Sequence, residues 1–97
     1  MSIESYTDEN GDLIEIEEGW LRNTWHKNKM LHRDNDLPAI EWNDGDKFWF
    51  NNGKKHRVLG PAVEWASGEK WWYYEGQEIE VDNQKDFERW LNLQLFW

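Results

Sequence analysis

The chain has 97 residues, of which 20 are acidic, 11 are basic and nine are tryptophan, and its formal net charge is −9. It contains no cysteine, which excludes a disulfide framework, a thiol nucleophile and a zinc site built on thiolates. The length predicts one domain over residues 1–97, and the aromatic content excludes an intrinsically disordered chain. No apolar run reaches the roughly 20 residues of a membrane span, and the first residues carry no secretory signal, so we expect a cytoplasmic protein without membrane contact.

Charge is distributed unevenly along the chain. Residues 1–19 hold seven acidic and no basic side chains, residues 20–57 hold five acidic and eight basic, and residues 58–97 hold eight acidic and three basic. Such a surface repels nucleic acid and attracts basic protein surfaces, which predicts a host or viral partner protein with a basic surface and no direct binding of nucleic acid. The alternative interpretation is that the acidic residues serve only solubility.

The N-terminal part, residues 1–24, is predicted to form acidic strands. Alternation in "LIEIEE" indicates a strand that points Glu15 and Glu17 to one side and the isoleucines to the other. This strand and "TWHKN" are predicted to form a hairpin that turns near Arg22–Asn23, and "IESYT" is predicted to add an edge strand. The result is a row of carboxylates on a supported strand.

Residues 25–80 contain an internal repeat. The stretch "NNGKKHRVLGPAVEW" at residues 51–65 corresponds to "HKNKMLHRDNDLPAIEW" at residues 26–42. A period near 23 residues indicates one supersecondary unit stacked on copies of itself. The coinciding residues include Trp25 and Trp49, Asn28 and Asn52, His32 and His56, Arg33 and Arg57, Pro38 and Pro61, Ala39 and Ala62, Glu41 and Glu64, and Trp42 and Trp65.

Each unit is predicted to be a β-hairpin, because "PAVEWA" and "EKWWYYE" alternate on either side of "SG". Glycine supplies the positive φ that a tight turn needs, and we expect it at Gly53 and Gly68. Together the units predict an antiparallel β-meander of repeated hairpins. Glycine-containing turns are predicted at residues 44–45, 52–53, 67–68 and 75–76.

The C-terminal segment changes to a helical period. Residues 83–95 are predicted to form a helix after an N-cap at Asp82 or Asn83. We expect this helix to lie across one face of the sheet and to cover its tryptophans, which makes the fold α+β. The sequence leaves open whether Phe96 and Trp97 fold back or project. The apolar face of the helix is predicted to consist of Phe87, Trp90, Leu91 and Leu95.

The pattern W-x-x-N-G-x-x-H-R-x-x-G-P-A-x-x-x-x-x-G-x-x-x-W resembles a short tryptophan-rich tandem repeat of bacteriophage and large-DNA-virus proteins, a variant of the MORN repeat. "EGQEIEVDNQKDFERWL" resembles the helix that often closes such arrays. Departures are Lys29 and Leu37, which stand where glycine is usual, and the loop "RDNDLP", which is one residue longer than "RVLGP". The resemblance implies a β-meander and a viral or mobile-element setting, and it implies no activity. The pattern is matched by Trp49, Asn52, Gly53, His56, Arg57, Gly60, Pro61, Ala62, Gly68 and Trp72.

The repeated pairs His32–Arg33 and His56–Arg57 allow two interpretations. A zinc site would need further ligands, and only His26 and carboxylates remain to supply them. The alternative is architectural: each histidine hydrogen-bonds loop backbone, and each arginine stacks on a neighbouring tryptophan. Because the pairs recur with the hairpin, we favour the architectural role and predict no metal and no cofactor.

No enzyme motif is legible in the sequence. It lacks a nucleophile elbow, a P-loop and a dinucleotide signature, and among 20 acidic residues some pair at glycosidase spacing arises by chance. We therefore predict no catalytic residues. Flat tryptophan faces suit sugar binding, so a carbohydrate-binding module is an alternative, although such modules are usually secreted.

The aromatic residues predict uncovered rings. In a single-layer sheet Trp49 and Trp72 lie in equivalent register and their neighbours point to the opposite side, which one short helix leaves bare. These rings are expected to pack on the N-terminal segment, on a second subunit in a homodimer, or on a partner. The neighbours concerned are Phe48, Phe50, Trp71 and Tyr73.

Acidity, aromatic content and the lack of catalytic motifs together predict a small non-enzymatic protein that binds another protein. The sharpest hypothesis is a phage-encoded inhibitor of a host nucleic-acid-binding or defence complex, of anti-CRISPR or anti-restriction type, whose carboxylates mimic the phosphates of nucleic acid. A structural or assembly protein of the virion is the alternative. Phe50 and Tyr73 form an alternative contact surface. The predicted partner-binding carboxylates are Asp8, Glu9, Asp12, Glu15, Glu17 and Glu18.

Overall fold

The computed structural model describes residues 2–95, so the prediction left open for Phe96 and Trp97 lies outside the described residues. Short strands joined by turns are followed by a single helix in this part of the chain. In chain order the elements are β1 (Ser2–Thr7), β2 (Leu13–Glu18), β3 (Arg22–Lys27), β4 (Met30–Leu31), β5 (Ile40–Trp42), β6 (Lys47–Phe48), β7 (Phe50–Asn51), β8 (Lys54–Lys55), β9 (Val63–Glu64), β10 (Lys70–Tyr74), β11 (Gln77–Ile79) and α1 (Gln84–Leu95).

Most strands belong to one antiparallel sheet. Its order is β1-β2-β3-β5-β6-β9-β10-β11, with β4 paired to β3, and β7 and β8 form a separate two-stranded sheet. Because the β7–β8 hairpin leaves the sheet, β6 pairs directly with β9. The predicted α+β fold, an antiparallel meander with one C-terminal helix, is confirmed.

The turn between β2 and β3 lies earlier than predicted. Strand β3 begins at Arg22, so the predicted turn near Arg22–Asn23 is wrong. The chain reverses before it, where the N–H of Gly19 donates to the carbonyl of Arg22 at 2.9 Å. A Cβ at position 19 would lie 2.9 Å from that carbonyl oxygen, so glycine is required there. Trp20 and Leu21 are apolar and resemble strand residues in the sequence, yet they form the tip of the turn.

Three equivalent hairpins, β3–β4, β7–β8 and β10–β11, follow the repeat. Each hairpin has a tryptophan on the side of its first strand. A residue at the end of the second strand, or directly after it, faces this tryptophan across the hairpin. In the last unit this residue is apolar, because the His-Arg pair is missing there. The facing pairs are Trp25 with His32, Trp49 with His56, and Trp72 with Ile79.

The turn geometry matches the glycine prediction at both named positions. Gly53 has a φ of 85° and Gly68 a φ of 99°. In the first hairpin Lys29 occupies the place of Gly53 and adopts a φ of 69°. Because the left-handed conformation costs an L-residue roughly 1–2 kcal/mol, the first hairpin carries strain that the second avoids.

The alanines of the two Pro-Ala pairs in the repeat belong to the buried core. Ala39 and Ala62 have no exposed surface. Their carbonyls accept hydrogen bonds from the backbone N–H groups of Trp25 and Trp49, at 2.8 and 2.7 Å. A larger side chain at either alanine would overpack the contact, which explains a small residue at both positions.

Helix α1 packs against the last hairpin. Its N-cap is Asn83, whose side-chain oxygen accepts a hydrogen bond from the N–H of Asp86 at 2.9 Å. The cluster that the helix completes contains Trp72 and Ile79, and Trp72 is its only sheet tryptophan, so the helix covers one hairpin and not the row of tryptophans predicted. The predicted apolar face is confirmed for Phe87, Trp90 and Leu91, whereas the side chain of Leu95 lies outside the described part of the chain.

Aromatic rings on one face of the sheet cover each other. The ring of Trp65 meets Phe48 at a centroid distance of 5.3 Å and Trp71 at 5.1 Å, both edge to face. Phe48 and Trp71 share this face because both lie opposite Val63 in the register. Trp65 thus covers part of Phe48 and Trp71, two of the rings that the sequence predicts to be uncovered, and Trp71 remains 38% exposed.

Candidate functional site

Arg57 and Trp49 form the centre of the second unit. The guanidinium carbon of Arg57 lies 3.8 Å from the centroid of the Trp49 ring. Its Nη1 donates to the carbonyl of Pro61 at 3.2 Å and to a carboxylate oxygen of Glu64 at 3.1 Å. The remaining edge meets Asp36, with Nε to Oδ1 at 2.9 Å and Nη2 to Oδ2 at 3.1 Å, and the indole N–H of Trp49 donates to the Asp36 carbonyl at 3.0 Å. This arginine is stacked and paired on both edges.

The first unit repeats the geometry with one part missing. The guanidinium carbon of Arg33 lies 3.6 Å from the Trp25 ring centroid. Its Nη1 donates to the carbonyl of Pro38 at 3.2 Å and to Glu41 at 3.4 Å. Both of these hydrogen bonds leave from Nη1, and no carboxylate within residues 2–95 takes the position that Asp36 holds on the second unit. The Trp25–Arg33 site is therefore open where its copy is filled.

The histidines connect consecutive hairpins. The Nδ1 atom of His32 accepts from the N–H of Asn52 at 3.1 Å, and that of His56 accepts from the N–H of Glu75 at 2.9 Å. Each bond runs from one unit to the turn of the next, so the prediction that histidine binds loop backbone while arginine stacks on tryptophan is confirmed. Among residues 2–95 no group of three acidic or histidine side chains is placed to hold a metal ion.

In the last unit a glutamine accepts the hydrogen bond from the tryptophan N–H that the Asp36 carbonyl accepts in the second unit. Gln84, the first helical residue, accepts from the indole N–H of Trp72 at 2.8 Å and donates to the carbonyl of Val58 at 3.0 Å. The loop that carries Val58 is one residue shorter than its copy in the first unit, and the glutamine side chain bridges the gap to the next tryptophan. No sequence signal marks Gln84, because its partners are distant in the chain.

A groove opens at the Trp25–Arg33 site. Its volume is about 770 Å³, and its walls include Trp25, Arg33 and the β1–β2 turn with Asp8 and Glu9. The equivalent groove at Trp49 and Arg57 has a volume of about 290 Å³, because the loop with Asp36 occupies part of that place.

Two of the six predicted carboxylates hold the β1–β2 turn together. Asp8 Oδ1 accepts from the backbone N–H groups of Asn10 at 2.9 Å and Asp12 at 3.0 Å. Asp12 accepts from the side-chain amide of Asn28 at 2.9 Å and lies 3.5 Å from Lys27. The Asn28 hydrogen bond is the main cause that lowers the pKa of Asp12, with Lys27 adding to it. These two residues have structural partners.

Of the other predicted carboxylates, Glu9 lies in the β1–β2 turn, and the remaining three are divided between the two faces of β2, an interior strand. Glu15 and Glu17 share a face, as predicted, and a Glu15 carboxylate oxygen lies 3.2 Å from Lys29 Nζ. Glu18 points to the opposite face, together with Glu4 of β1. Glu9, Glu17 and Glu18 are exposed and form no ion pair within residues 2–95. The predicted pair of Glu15 and Glu17 on one face is thus present, and Glu18 adds a carboxylate to the other face.

Phe50 and Tyr73, the alternative contact residues, are brought together through Lys55. Phe50 lies opposite Lys55 in the β7–β8 hairpin, and Lys55 Nζ lies 5.0 Å from the centroid of the Tyr73 ring. Burial raises the pKa of Tyr73, and the charge of Glu78 adds to this effect. Both rings are half-buried, so they offer less contact area than a bare aromatic patch.

A more exposed apolar surface lies at the β2–β3 turn, and the sequence analysis did not single it out. Trp20 is 84% exposed and Leu21 is 71% exposed. Gly19 separates them from Glu17 and Glu18 of the acidic β1–β2 hairpin. The predicted turn near Arg22–Asn23 placed both residues in a strand, so the sequence did not indicate that they are exposed at a turn.

No helix within residues 2–95 is both long and apolar enough to cross a membrane. No protein-family model matches the chain, and no similar curated protein and no similar solved structure was found. The functional proposal therefore rests on the geometry of these surfaces.

Proposed function

We propose that this protein is a non-enzymatic binding protein that presents its acidic N-terminal hairpin to a basic surface of a partner protein. The observation that carries the proposal is the contrast in pairing. Glu9, Glu17 and Glu18 lie close together in the chain and extend into solvent without an ion pair in the described chain, whereas Asp36 and Glu64 are both held by Arg57. Unpaired carboxylates on an ordered strand are positioned to meet lysine or arginine at little cost in ordering.

The β2–β3 turn supplies the apolar part of the same contact. Trp20 is a large, exposed ring beside Glu17 and Glu18, and aromatic anchors surrounded by polar groups dominate many protein interfaces. The carboxylates accelerate encounter with a basic partner, and the indole slows its release. This division of roles favours one contact centred on the hairpin and its turn over a contact at Phe50 and Tyr73.

The most specific form of the proposal is inhibition of a host protein whose basic groove binds nucleic acid. Carboxylates replace phosphates in such a groove, and the interaction weakens steeply as salt rises. The resemblance to phage and viral repeats supports a host target of the defence type. A competition assay separates inhibition from simple binding: the protein is expected to displace labelled nucleic acid from the captured partner.

Charge reversal tests the acidic hairpin face by face. Two double variants, Glu15→Lys with Glu17→Lys and Glu4→Lys with Glu18→Lys, change the net charge equally on opposite faces. The control is Glu69→Lys with Glu80→Lys, which makes the same charge change at exposed positions of the repeats. After capture of a partner at low salt, we expect one hairpin variant to slow association at least tenfold and the control to have a much smaller effect.

Trp20→Ala tests the apolar anchor separately. We expect faster dissociation, about tenfold or more, with an association rate close to that of the parent protein. If both hairpin double variants and Trp20→Ala bind the partner with the same rates as the parent protein, this surface is excluded. The contact to test next is then the surface of Phe50 and Tyr73.

A further inference from the structure

We propose that the open groove at Trp25 and Arg33 is a docking site for an aspartate-bearing turn of another polypeptide. The chain contains its own example of the contact. In the second unit, Asp36 takes the exposed edge of the Arg57 guanidinium with both carboxylate oxygens, and its backbone carbonyl accepts from the indole N–H of Trp49. One residue thus satisfies both partners of a stacked Trp-Arg pair.

The first unit offers the same two partners in the same arrangement. The Arg33 guanidinium is stacked on Trp25 at 3.6 Å, close to the 3.8 Å of the second unit, and its Nη1 is held by the Pro38 carbonyl and Glu41. These bonds fix the guanidinium plane and leave the edge with Nε and Nη2 for a ligand. Because the Arg33 side chain is already ordered, less conformational entropy is lost when a ligand binds.

The groove has the size to admit a turn. Its volume of about 770 Å³ exceeds the roughly 290 Å³ that remains at the second unit after the Asp36 loop is in place. Ile14 and Ile16 of β2 add apolar wall to it. The groove therefore accepts backbone and side chains beyond a single carboxylate.

Charges at the rim define the ligand further. Lys27 lies 3.5 Å from both Asp12 and Asp34, so it is already neutralised. Asp8 and Glu9 line the groove from the β1–β2 turn and repel additional negative charge. The site consequently suits a turn that carries one aspartate at Arg33, and it disfavours a run of acidic residues.

The loop of this chain that fills the second unit provides the probe. Asn35 and Asp36 have φ values of 66° and 57°, so their turn is left-handed, and a head-to-tail cyclic peptide that contains residues 32–38, with Asp34 changed to asparagine so that Asp36 is its one carboxylate, is designed to hold this form. Titrating the peptide into ¹⁵N-labelled full-length protein is expected to give a saturable shift of the Trp25 indole N–H signal. The matched peptide, with asparagine in place of Asp36, is expected to bind about tenfold more weakly or worse, because it loses the charged pair with Arg33.

Variants on the protein side locate the contact. Arg33→Lys keeps the charge but loses the fork, and we expect it to weaken peptide binding about tenfold. Arg22→Lys is the control, since Arg22 lies over Trp42 at 5.0 Å, away from the groove. Thermal unfolding of each variant verifies the fold, and the asparagine peptide tests the proposal without altering the protein at all.

Three results would overturn the proposal: equal affinity for the aspartate and asparagine peptides, a shift confined to signals outside the groove, or the same effect from acetate at the same concentration. Self-association that Arg33→Lys abolishes would support it and would identify a second copy as the polypeptide that presents the turn.

Discussion

In the second repeat unit the guanidinium of Arg57 meets two carboxylates and the face of a tryptophan, whereas in the N-terminal hairpin the carboxylates of Glu17 and Glu18 extend into solvent. The hairpin of β1 and β2 belongs to the large sheet, whereas the unit around Arg57 combines the separate β7–β8 hairpin with strand β9 of the large sheet. In the repeats, charge is used to fix one unit on the next. In the hairpin, the strands are held together by the backbone ladder, and the charges of Glu17 and Glu18 remain in solvent.

A second contrast lies inside the repeats, between the filled Arg57 site and the open Arg33 site. Equivalent residues in equivalent geometry differ only in what the preceding loop supplies. Mutations at matched positions in the two units therefore separate what the repeat needs for stability from what it leaves for binding.

The largest effect is expected from removing Arg57. Arg57→Ala leaves the carboxylates of Asp36 and Glu64 without their partner and uncovers Trp49, and we expect it to lower the free energy of unfolding by roughly 2–4 kcal/mol. Arg33→Ala removes one carboxylate contact and is expected to cost about 1–2 kcal/mol. Urea denaturation of both variants measures the difference. Equal losses would mean that Asp36 contributes nothing to the second site.

The bridge at Gln84 should have a smaller effect. Gln84→Ala leaves the indole N–H of Trp72 and the carbonyl of Val58 unpaired, which we expect to cost roughly 1–3 kcal/mol. Gln94→Ala, an exposed position on the same helix, is the control and is expected to stay within about 0.5 kcal/mol of the parent. Thermal unfolding distinguishes them. A silent Gln84→Ala would show that the last hairpin is held by the apolar cluster alone.

Turn chemistry gives the next comparison. Gly68→Val forces a β-branched residue into a φ of 99°, with an expected loss of roughly 1–2 kcal/mol from backbone strain, since nothing lies within 4 Å of the new Cβ. Lys29→Gly is the opposite change at a strained position and is expected to raise stability by up to about 1 kcal/mol. Denaturation midpoints test both signs. Stabilisation by Gly68→Val would contradict the left-handed turn.

The smallest effect is expected on the stability of the fold at acidic pH. The pKa of Asp12 is lowered from 3.8 chiefly by the hydrogen bond from Asn28, and that of Asp34 chiefly by the hydrogen bond with His32. Because a depressed carboxyl pKa stabilises the fold only while the group is charged, this contribution is present above 3.8 and is lost as pH falls through the lowered values. Carboxyl ¹³C titration is expected to give both midpoints below 3.8, and Asn28→Ala is expected to raise that of Asp12 alone. A midpoint at 3.8 or higher in the parent protein would refute the assignment.

Much of the fold is predictable because its signals are local. Alternation places strands, glycine marks Gly53 and Gly68 as turns, and the period change finds the helix that buries Phe87. The β2–β3 turn was misplaced because the requirement for Gly19 is a close approach to a carbonyl, which leaves no pattern in the neighbouring residues.

The candidate sites were less predictable because they depend on contacts between units. The carboxylate of Asp36 reaches Arg57 from a different unit, and Gln84 connects a helix to a distant loop. A count of acidic residues also cannot separate Asp12, which is engaged by Asn28 and Lys27, from Glu17, which is solvated. The sequence gives the number of charges, and only the structure shows which of them are paired within the chain.

The loop after each stacked arginine reaches forward along the chain: Asp36 meets Trp49, and Val58 reaches Trp72 through Gln84. The contacts between units therefore all run in one direction along the chain. Within residues 2–95, the tryptophan of the first unit, Trp25, receives no loop from a preceding unit, and the helix covers the last unit. Consider a copy of residues 25–48 inserted before Trp49. The copy of Trp25 would contact the original Asp36 loop, and the copy of the Asp36 loop would contact Trp49. We therefore expect that insertion of one 24-residue unit, residues 25–48, gives a longer array that folds without further changes at either junction.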